Sequence, residues 1–461
     1  MINKEEIEAK AEEFELYTAN VERDYVFGWL LAGIYTVSEL KDVLVLKGGN
    51  CFRKGYFPNT RFSNDLDFST QSAINESFLS QELNKVCDFA QSASGVIFEK
   101  DRNKVEEKMA IDRERKVYEA RLYFKDFYGN PDHITISVRL DVTQYDKIYL
   151  PIQSRYLIHP YSDATDCRAE IRCVKLEELL AIKLKCLLQR RHSNDLYDYI
   201  YSIFINKEIE VNRAEIVSTF LKKTIFEHSP GVVKNLLLEL PFDFFRAIWN
   251  KYIICPKGSR LDFDFVLNNF KQSIEALFGT IGMGYAHLAY FSSRLRNPII
   301  DSGSRLTLIK LTYAGITRLV EPYSLVYKRR RDGYGQEYFY GYDRSGGRTS
   351  GPGIKCFIHD KIQALEPTDQ KYEPRFPVEL SKAGEYGDKT YFGSTFSSQR
   401  FKSSTRSVTH FKSGVTYIIE CNYCGKKFKR SKYDTKLNKH NDKYGNRCFG
   451  RIGYLVDTIY N

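Results

Sequence analysis

Apolar residues recur every three or four positions over residues 4–17 and 21–35, which predicts two helices at the start of the chain. A short apolar run at 42–46 leads into Gly48–Gly49 and reads as a strand entering a turn, with a helix opening at Asn50. A second strand is predicted at 65–69. Residues 133–142 alternate cleanly: Ile134, Ile136, Val138 and Leu140 fall on one side, Thr135, Ser137, Arg139 and Asp141 on the other. Helical periodicity dominates from 176 to about 289, and from about 305 to 380 the texture changes to short β-like runs rich in Tyr, Gly and Arg. Residues 381–413 are polar and rich in Ser and Gly, as a linker is, and a small Cys-containing module closes the chain. No internal repeat is visible.

The chemistry concentrates in VLVLKGGNCFRKGYFPNTRFSNDLDFS, residues 43–69. Glycines at a strand-to-helix turn let backbone amides approach a phosphate, and the helix N-terminus adds a favourable dipole. Arg53, Lys54 and Arg61 add charge suited to a triphosphate. A tight loop explains Gly-Gly alone equally well, but Asp65 and Asp67 change the balance. Residues two apart on a strand share a face, so both carboxylates project together while Leu66 turns to the core. Two such charges repel unless a cation lies between them, and phosphoryl-transfer enzymes use such pairs to hold Mg²⁺. Asp141, at the end of the alternating strand's polar face, is a candidate third carboxylate.

The segment 176–191 supplies separate evidence. Leu176, Leu179, Leu180 and Leu187 define a buried helical face, and Lys183 lies near its centre while Lys185 points away. A lysine there either snorkels or meets an anion, which makes Lys183 a candidate for contacting phosphate or organising the carboxylates. Ser193 reads as an N-cap, placing Asp195 and Asp198 about a turn apart; Asp195 ranks below the Asp65–Asp67 pair because first-turn aspartates often only complement the dipole.

The net charge of +11 favours a polyanionic partner without specifying a fold. Seven of the ten cysteines are scattered and read as reduced thiols of an intracellular protein. The first twenty residues are acidic and polar, unlike a signal peptide, and the longest apolar run, 27–37, is too short for a bilayer; a cytoplasmic protein with no membrane contact is expected. The other three cysteines, Cys421, Cys424 and Cys448, combine with His440 into a Cys₃His set suited to structural Zn²⁺. Around them lie Lys426, Lys427, Lys429, Arg430, Lys432, Lys436, Lys439 and Lys443, a ribbon suited to a phosphate backbone or simply to solvent. A redox Cys-x-x-Cys is disfavoured because no thioredoxin-like pattern surrounds it.

Residues 21–69, followed by LEELLAIKLKCLLQRRHSNDLYDYI at 176–200, resemble the AbiEii/AbiGii nucleotidyltransferase toxin family. The likeness covers roughly the first 220 residues and extends through the helices towards 295. Carried over by position, Lys47, Gly48, Gly49, Asn50, Arg53, Lys54, Ser63, Asp65, Asp67, Lys183, Asp195 and Asp198 match its motifs. Asn50 stands where the family has Ser or Thr, and Asn194 where it has an arginine. The resemblance implies a DNA polymerase β-like minimal nucleotidyltransferase fold, NTP and Mg²⁺ use, a toxin or phage-defence role and an antitoxin partner. The acceptor would be a hydroxyl, at the 3′ end of an RNA such as tRNA or on a protein. A ligand-sensing regulator with an inactive transferase domain is the rival from another class.

Residues 309–380 are similar to the WYL domain, a small Sm-like β-barrel, through Arg318, Glu321, Pro322 and the run Tyr338, Phe339, Tyr340, with Lys361 in place of the usual arginine. That likeness implies a nucleic acid or nucleotide ligand. Arg318, Lys328, Arg329, Arg330, Arg331, Arg344 and Arg348 interleave with tyrosines, as a surface for phosphates and unstacked bases would. The expected architecture is α+β in three modules: a catalytic domain at 1–295, a WYL-like domain at 300–382, and a zinc knuckle at 416–461 beyond a linker at 383–415.

Overall fold

The computed structural model describes residues 2–109, 116–125, 135–206, 209–279, 281, 289–347, 350–381, 415–421, 424, 426–430, 434–441, 447–448, 450–451 and 453–460. The chain opens with α1 (Lys4–Phe14), α2 (Thr18–Thr36) and one turn, α3 (Leu40–Val43). β1 (Val45–Lys47), the short helix α4 (Gly48–Cys51) and β2 (Asp65–Thr70) follow. The apolar run at 42–46 therefore divides between helix and strand. Ser38 Oγ accepts from the amide of Leu40 and starts a turn there, which periodicity does not register.

After α5 (Glu76–Ser94) come β3 (Lys104–Met109), β4 (Lys116–Lys125), β5 (Thr135–Gln144), β6 (Gln153–Tyr156) and β7 (Glu170–Cys173). The seven strands form one mixed sheet in the order β3-β4-β5-β2-β1-β7-β6, with β2–β5 and β1–β7 parallel. In β5, Ile136, Val138, Leu140 and Val142 are buried, as its alternation requires. His133 and Ile134, from the predicted start of that strand, lie outside the described residues. α2 is buried on nearly every face, so its apolar run is the core of this unit.

A helical part follows and shares the same hydrophobic core: α6 (Leu176–Gln189), α7 (Ser193–Ile200), α8 (Arg213–Lys222), α9 (Pro230–Leu238), α10 (Phe242–Tyr252) and α11 (Phe263–Phe278). α12 (Ser293–Arg305) packs instead on a second core that joins Phe291, Ile299 and Ile300 to Leu308, Tyr323 and Phe339. This second unit thus begins ahead of residue 300. Its strands β8 (Thr307–Tyr313), β9 (Ile316–Arg329), β10 (Gly335–Asp343), β11 (Gly353–Phe357) and β12 (Ile362–Lys371) form an antiparallel sheet in the order β11-β10-β9-β8-β12.

At the end of the chain, β13 (Val415–Cys421), β14 (Lys427–Arg430), β15 (His440–Asn441), β16 (Arg447–Cys448) and β17 (Gly453–Tyr460) make a three-stranded sheet and a two-stranded ladder. The expected linker lies almost wholly outside the described residues, as do Lys432, Lys443 and Arg348. No helix among the described residues is long and apolar enough to cross a membrane.

Candidate active site

Strand register brings the carboxylates together. β2 lies between β1 and β5, with Asp67 opposite Lys47 on one side and Asp141 on the other, and Asp65 opposite Arg139. Asp65, Asp67 and Asp141 each offer an oxygen within 4.8 Å of the others, and all three are half-buried. Arg139 bonds Asp65 Oδ2 through Nη2 at 2.6 Å and lies 3.4 Å from Asp141 Oδ2 through Nε. Ser63 Oγ donates to Asp65 Oδ1 at 3.2 Å. Arg139 thus meets two of the three carboxylates, and like charges this close favour a further cation among them. Sequence reasoning had not singled out Arg139; its parity with Asp141 on the polar face of β5 was the available signal.

The two glycines are set by close approach. Gly48 has φ +70°, and a Cβ there would fall 2.1 Å from Asp67 Oδ2; one on Gly49 would fall 2.6 Å from Ser63 Oγ. Asn50 is fully buried and its Nδ2 donates to the backbone oxygen of Asp65 at 2.7 Å, holding the start of β2 against α4. Its Oδ1 has no partner among the described residues. Lys47 pairs with Asp146 at 2.7 Å, and Ser69 Oγ also donates to that carboxylate.

A second, buried cluster lies on α6 and α7. Lys183 Nζ sits 3.0 Å from Asp195 Oδ1 and 2.8 Å from Asp198 Oδ2. Arg190 donates to both oxygens of Asp195, and Arg61 to both oxygens of Asp198 at 2.7 Å. Burial disfavours the charge on Lys183, yet Asp198 and Asp195 overcome it and raise its pKa above the ordinary lysine value. Burial alone would raise the pKa of Asp195; Arg190 and Lys183 instead drive it far below the usual carboxylate range. Asp195 is therefore engaged by cations in this arrangement, as Arg61 is by Asp198. The helix cap also differs from expectation: His192, not Ser193, caps α7, its Nδ1 accepting from the amide of Asn194 at 3.2 Å. Burial pushes the His192 pKa down to about 3, which keeps the ring neutral and able to accept.

Arg53 and Lys54 correct an expectation. Both are fully buried against α2, with Arg53 Nε 2.7 Å and Lys54 Nζ 3.0 Å from the carboxylate of Asp24. Burying cations without a partner would be prohibitive, so Asp24 fixes their direction away from a triphosphate at the turn. Helical parity could not reveal this, because the partner lies 29 residues earlier.

In the second unit, Arg318 pairs with the buried Asp343, Arg329 reaches Glu227 at 2.6 Å, and Arg330 lies 3.0 Å from Asp332. Lys328 Nζ lies 5.6 Å from the centre of the Tyr340 ring. These cations are dispersed among acidic and aromatic partners rather than gathered in one bare patch. In the last module Lys426 precedes β14, which carries Lys427, Lys429 and Arg430; Arg430 donates to the backbone oxygen of Lys436.

There Cys421, Cys424, His440 and Cys448 converge, their ligand atoms within 4.8 Å of one another. Cys421 Sγ is 3.8 Å from Cys448 Sγ, too far for a disulfide, and Cys424 Sγ is 3.4 Å from His440 Nε2. Tetrahedral zinc with Zn–S near 2.3 Å and Zn–N near 2.0 Å separates two sulfurs by about 3.8 Å and a sulfur from a nitrogen by about 3.5 Å. Nδ1 of His440 lies 2.9 Å from the backbone oxygen of Asn438, the contact that leaves Nε2 free to ligate. The donor set fits zinc.

The family described as "Nucleotidyl transferase AbiEii toxin, Type IV TA system" matches residues 29–278, more than half of the chain, and spans both charged clusters. No curated protein matches the chain. Among solved structures it is similar to MenT4, nucleotidyltransferase toxin Rv2826c from Mycobacterium tuberculosis H37Rv, with 17% identity over 60% of this chain and 88% of that one. At a TM-score of 0.37 that likeness carries no weight for fold or activity.

Proposed function

The chain belongs to the AbiEii nucleotidyl transferase toxin family and is a nucleotidyltransferase; from that premise we propose that Asp65, Asp67 and Asp141 are its metal-binding carboxylates and that it labels the 3′ end of an RNA such as a tRNA. The observation that supports this most is the convergence of three carboxylates with one guanidinium beside a glycine turn that admits no side chain. Mg²⁺ held there would stabilise charge on the attacking and leaving oxygens. In the reaction the acceptor hydroxyl oxygen bonds to the α-phosphorus, the bond to the β-phosphate oxygen breaks, pyrophosphate leaves, and the hydroxyl proton passes to a carboxylate or water.

This chain's own groups supply the rest. Gly48 and Gly49 let the backbone of the turn approach the triphosphate, with Lys47, Asn50 and Ser63 around it. Lys183, Arg61 and Arg190 outnumber Asp195 and Asp198, so the buried cluster presents a net positive field beside the carboxylates. Lys183 would steady the triphosphate through that field, with Asp195 holding it in place. Lys328, Arg329 and Arg330, with Lys426, Lys427, Lys429 and Arg430, would offer phosphate contacts outside the catalytic unit, whereas Arg318 is held by the buried Asp343. Zn²⁺ on Cys421, Cys424, His440 and Cys448 would hold the last module together. The toxin description of the family brings an antitoxin into the reading as partner.

The test is incubation of the purified protein with Mg²⁺, each α-³²P-NTP in turn and total tRNA, beside an Asp65→Ala/Asp67→Ala variant. Label on RNA that vanishes in the variant supports the proposal. Label on protein would replace RNA by a protein hydroxyl, and no label with any NTP would leave the RNA reading without support.

A further inference from the structure

A cavity of about 900 Å³ opens between the N-terminal helices, the loop before β2 and the end of α10. Its walls include Asn64 and Asn194, the residues immediately before Asp65 and Asp195. One wall thus adjoins the carboxylate trio and another the buried cluster. Phe62, Trp249 and Tyr252 also line it; the first two are almost fully buried, as is Asn20, and Tyr252 is partly exposed. The loop is tied to the opposite wall by the amide of Phe62, which donates to the backbone oxygen of Ile254 at 2.8 Å.

Resting on the transferase reading above, we propose that this cavity binds a nucleobase of the substrate and that Asn194 reads its edge. Three features support this. The volume is at the upper end for small-molecule sites, enough for a base and more. The walls pair the partly exposed Tyr252 ring, on which a base would stack, with carboxamides, which carry both a donor and an acceptor. Asn194 lines the cavity and is partly exposed, and no hydrogen bond among the described residues engages its carboxamide. The backbone amide of Asn194, not its side chain, serves the His192 cap, so the carboxamide is left for recognition.

The base comes either from the incoming NTP or from the terminal nucleotide of the acceptor, and two measurements separate these. The first compares wild type with Asn194→Ala, using each of the four NTPs at saturating RNA and RNAs ending in each base at saturating NTP. The variant should change discrimination among NTPs or among RNA ends by about tenfold or more. A change in the NTP ratios assigns the pocket to the incoming nucleotide, and a change in the RNA-end ratios to the acceptor.

The second measurement needs no turnover. The chain has two tryptophans: Trp29 is buried in α2, and Trp249 lines the cavity. Base stacking in the cavity should quench the emission of Trp249, and the same titration on Trp249→Phe should lose that quenching. The titrants are each NTP and short oligoribonucleotides ending in each base. Label transfer with unchanged ratios and no quenching by any titrant would overturn the pocket and leave the transferase reading intact. If no transfer occurs, the quenching alone decides: its presence upholds the pocket and its absence rejects it.

Discussion

Two clusters of acidic residues lie close together in this protein, and they are built in opposite ways. Asp65, Asp67 and Asp141 are half-buried, and the guanidinium of Arg139 reaches Asp65 and Asp141. Asp195 and Asp198 are almost fully buried and are surrounded by Lys183, Arg190 and Arg61. The first sets three carboxylates side by side within reach of solvent, so a metal ion would fit there as proposed. The second has more cations than carboxylates and is closed, so it stiffens the site and sets its field. Charge count and burial together, rather than residue type, separate a reactive acidic cluster from a structural one.

That distinction is broken or sharpened by substitution. The largest effect is expected for Asp67→Asn: transfer should fall by about a thousandfold, since metal stabilisation of the transition state amounts to several kcal/mol. Thermal stability should hold or rise, because one like-charge repulsion is removed; a large loss of stability would put Asp67 in the structural class. Lys183→Met should act the other way round. Leaving Asp195 and Asp198 short of a buried partner should destabilise the fold by about 3–5 kcal/mol in urea unfolding. Unchanged stability with lost activity would move Lys183 to the reactive class.

Acid should reach the buried cluster first through His192. Its pKa is lower folded, about 3, than unfolded, so its contribution is complete above the unfolded value near 6.5 and is lost as pH falls from there towards about 3. Over that window His192 should contribute a slope of about 1.4 kcal/mol per pH unit, to which His159, whose pKa burial also lowers, adds its own. His192→Asn keeps a capping side chain and removes the titration, so its stability between pH 6.5 and 4.5 should be flatter than wild type. A parallel slope would show that the cap is not what acid attacks. Two smaller effects follow. Zinc chelation should increase proteolysis of the last module while leaving the main thermal transition in place, and a shifted main transition would tie that module to the larger fold. Arg139→Gln, which removes a competitor for Asp65, should lower the Mg²⁺ concentration for half-maximal activity a few-fold; a raised requirement would assign Arg139 to substrate instead.

Much of the site was legible because it is local. Residues two apart on a strand share a face, so the Asp65–Asp67 pairing was readable from spacing, and alternation in β5 placed Asp141 on a polar face. Cys-x-x-Cys with a later His and Cys was readable because zinc imposes a few ligand types. The helix carrying Lys183 showed a lysine on an apolar face, which announced an anion without naming it. Less was legible where partners are distant. Asp24 lies well upstream of Arg53 and Lys54, and Glu227 is about a hundred residues from Arg329. The capping role passed from Ser193 to His192 because a buried neutral imidazole accepts as a carboxylate or hydroxyl would.

The sequence by itself determined the reactive alphabet of this protein: the glycine turn, the paired aspartates, the lysine helix and the Cys₃His set, each within one short stretch of chain. Only the tertiary structure decided which charges remain available. Strand register set Asp67 beside Asp141, and burial committed Arg53, Lys54 and Arg61 to carboxylates far along the chain. The physical reason is that periodicity follows from the backbone's own geometry, whereas the pairing of a buried charge is settled by whichever opposite charge packing brings within a few ångströms.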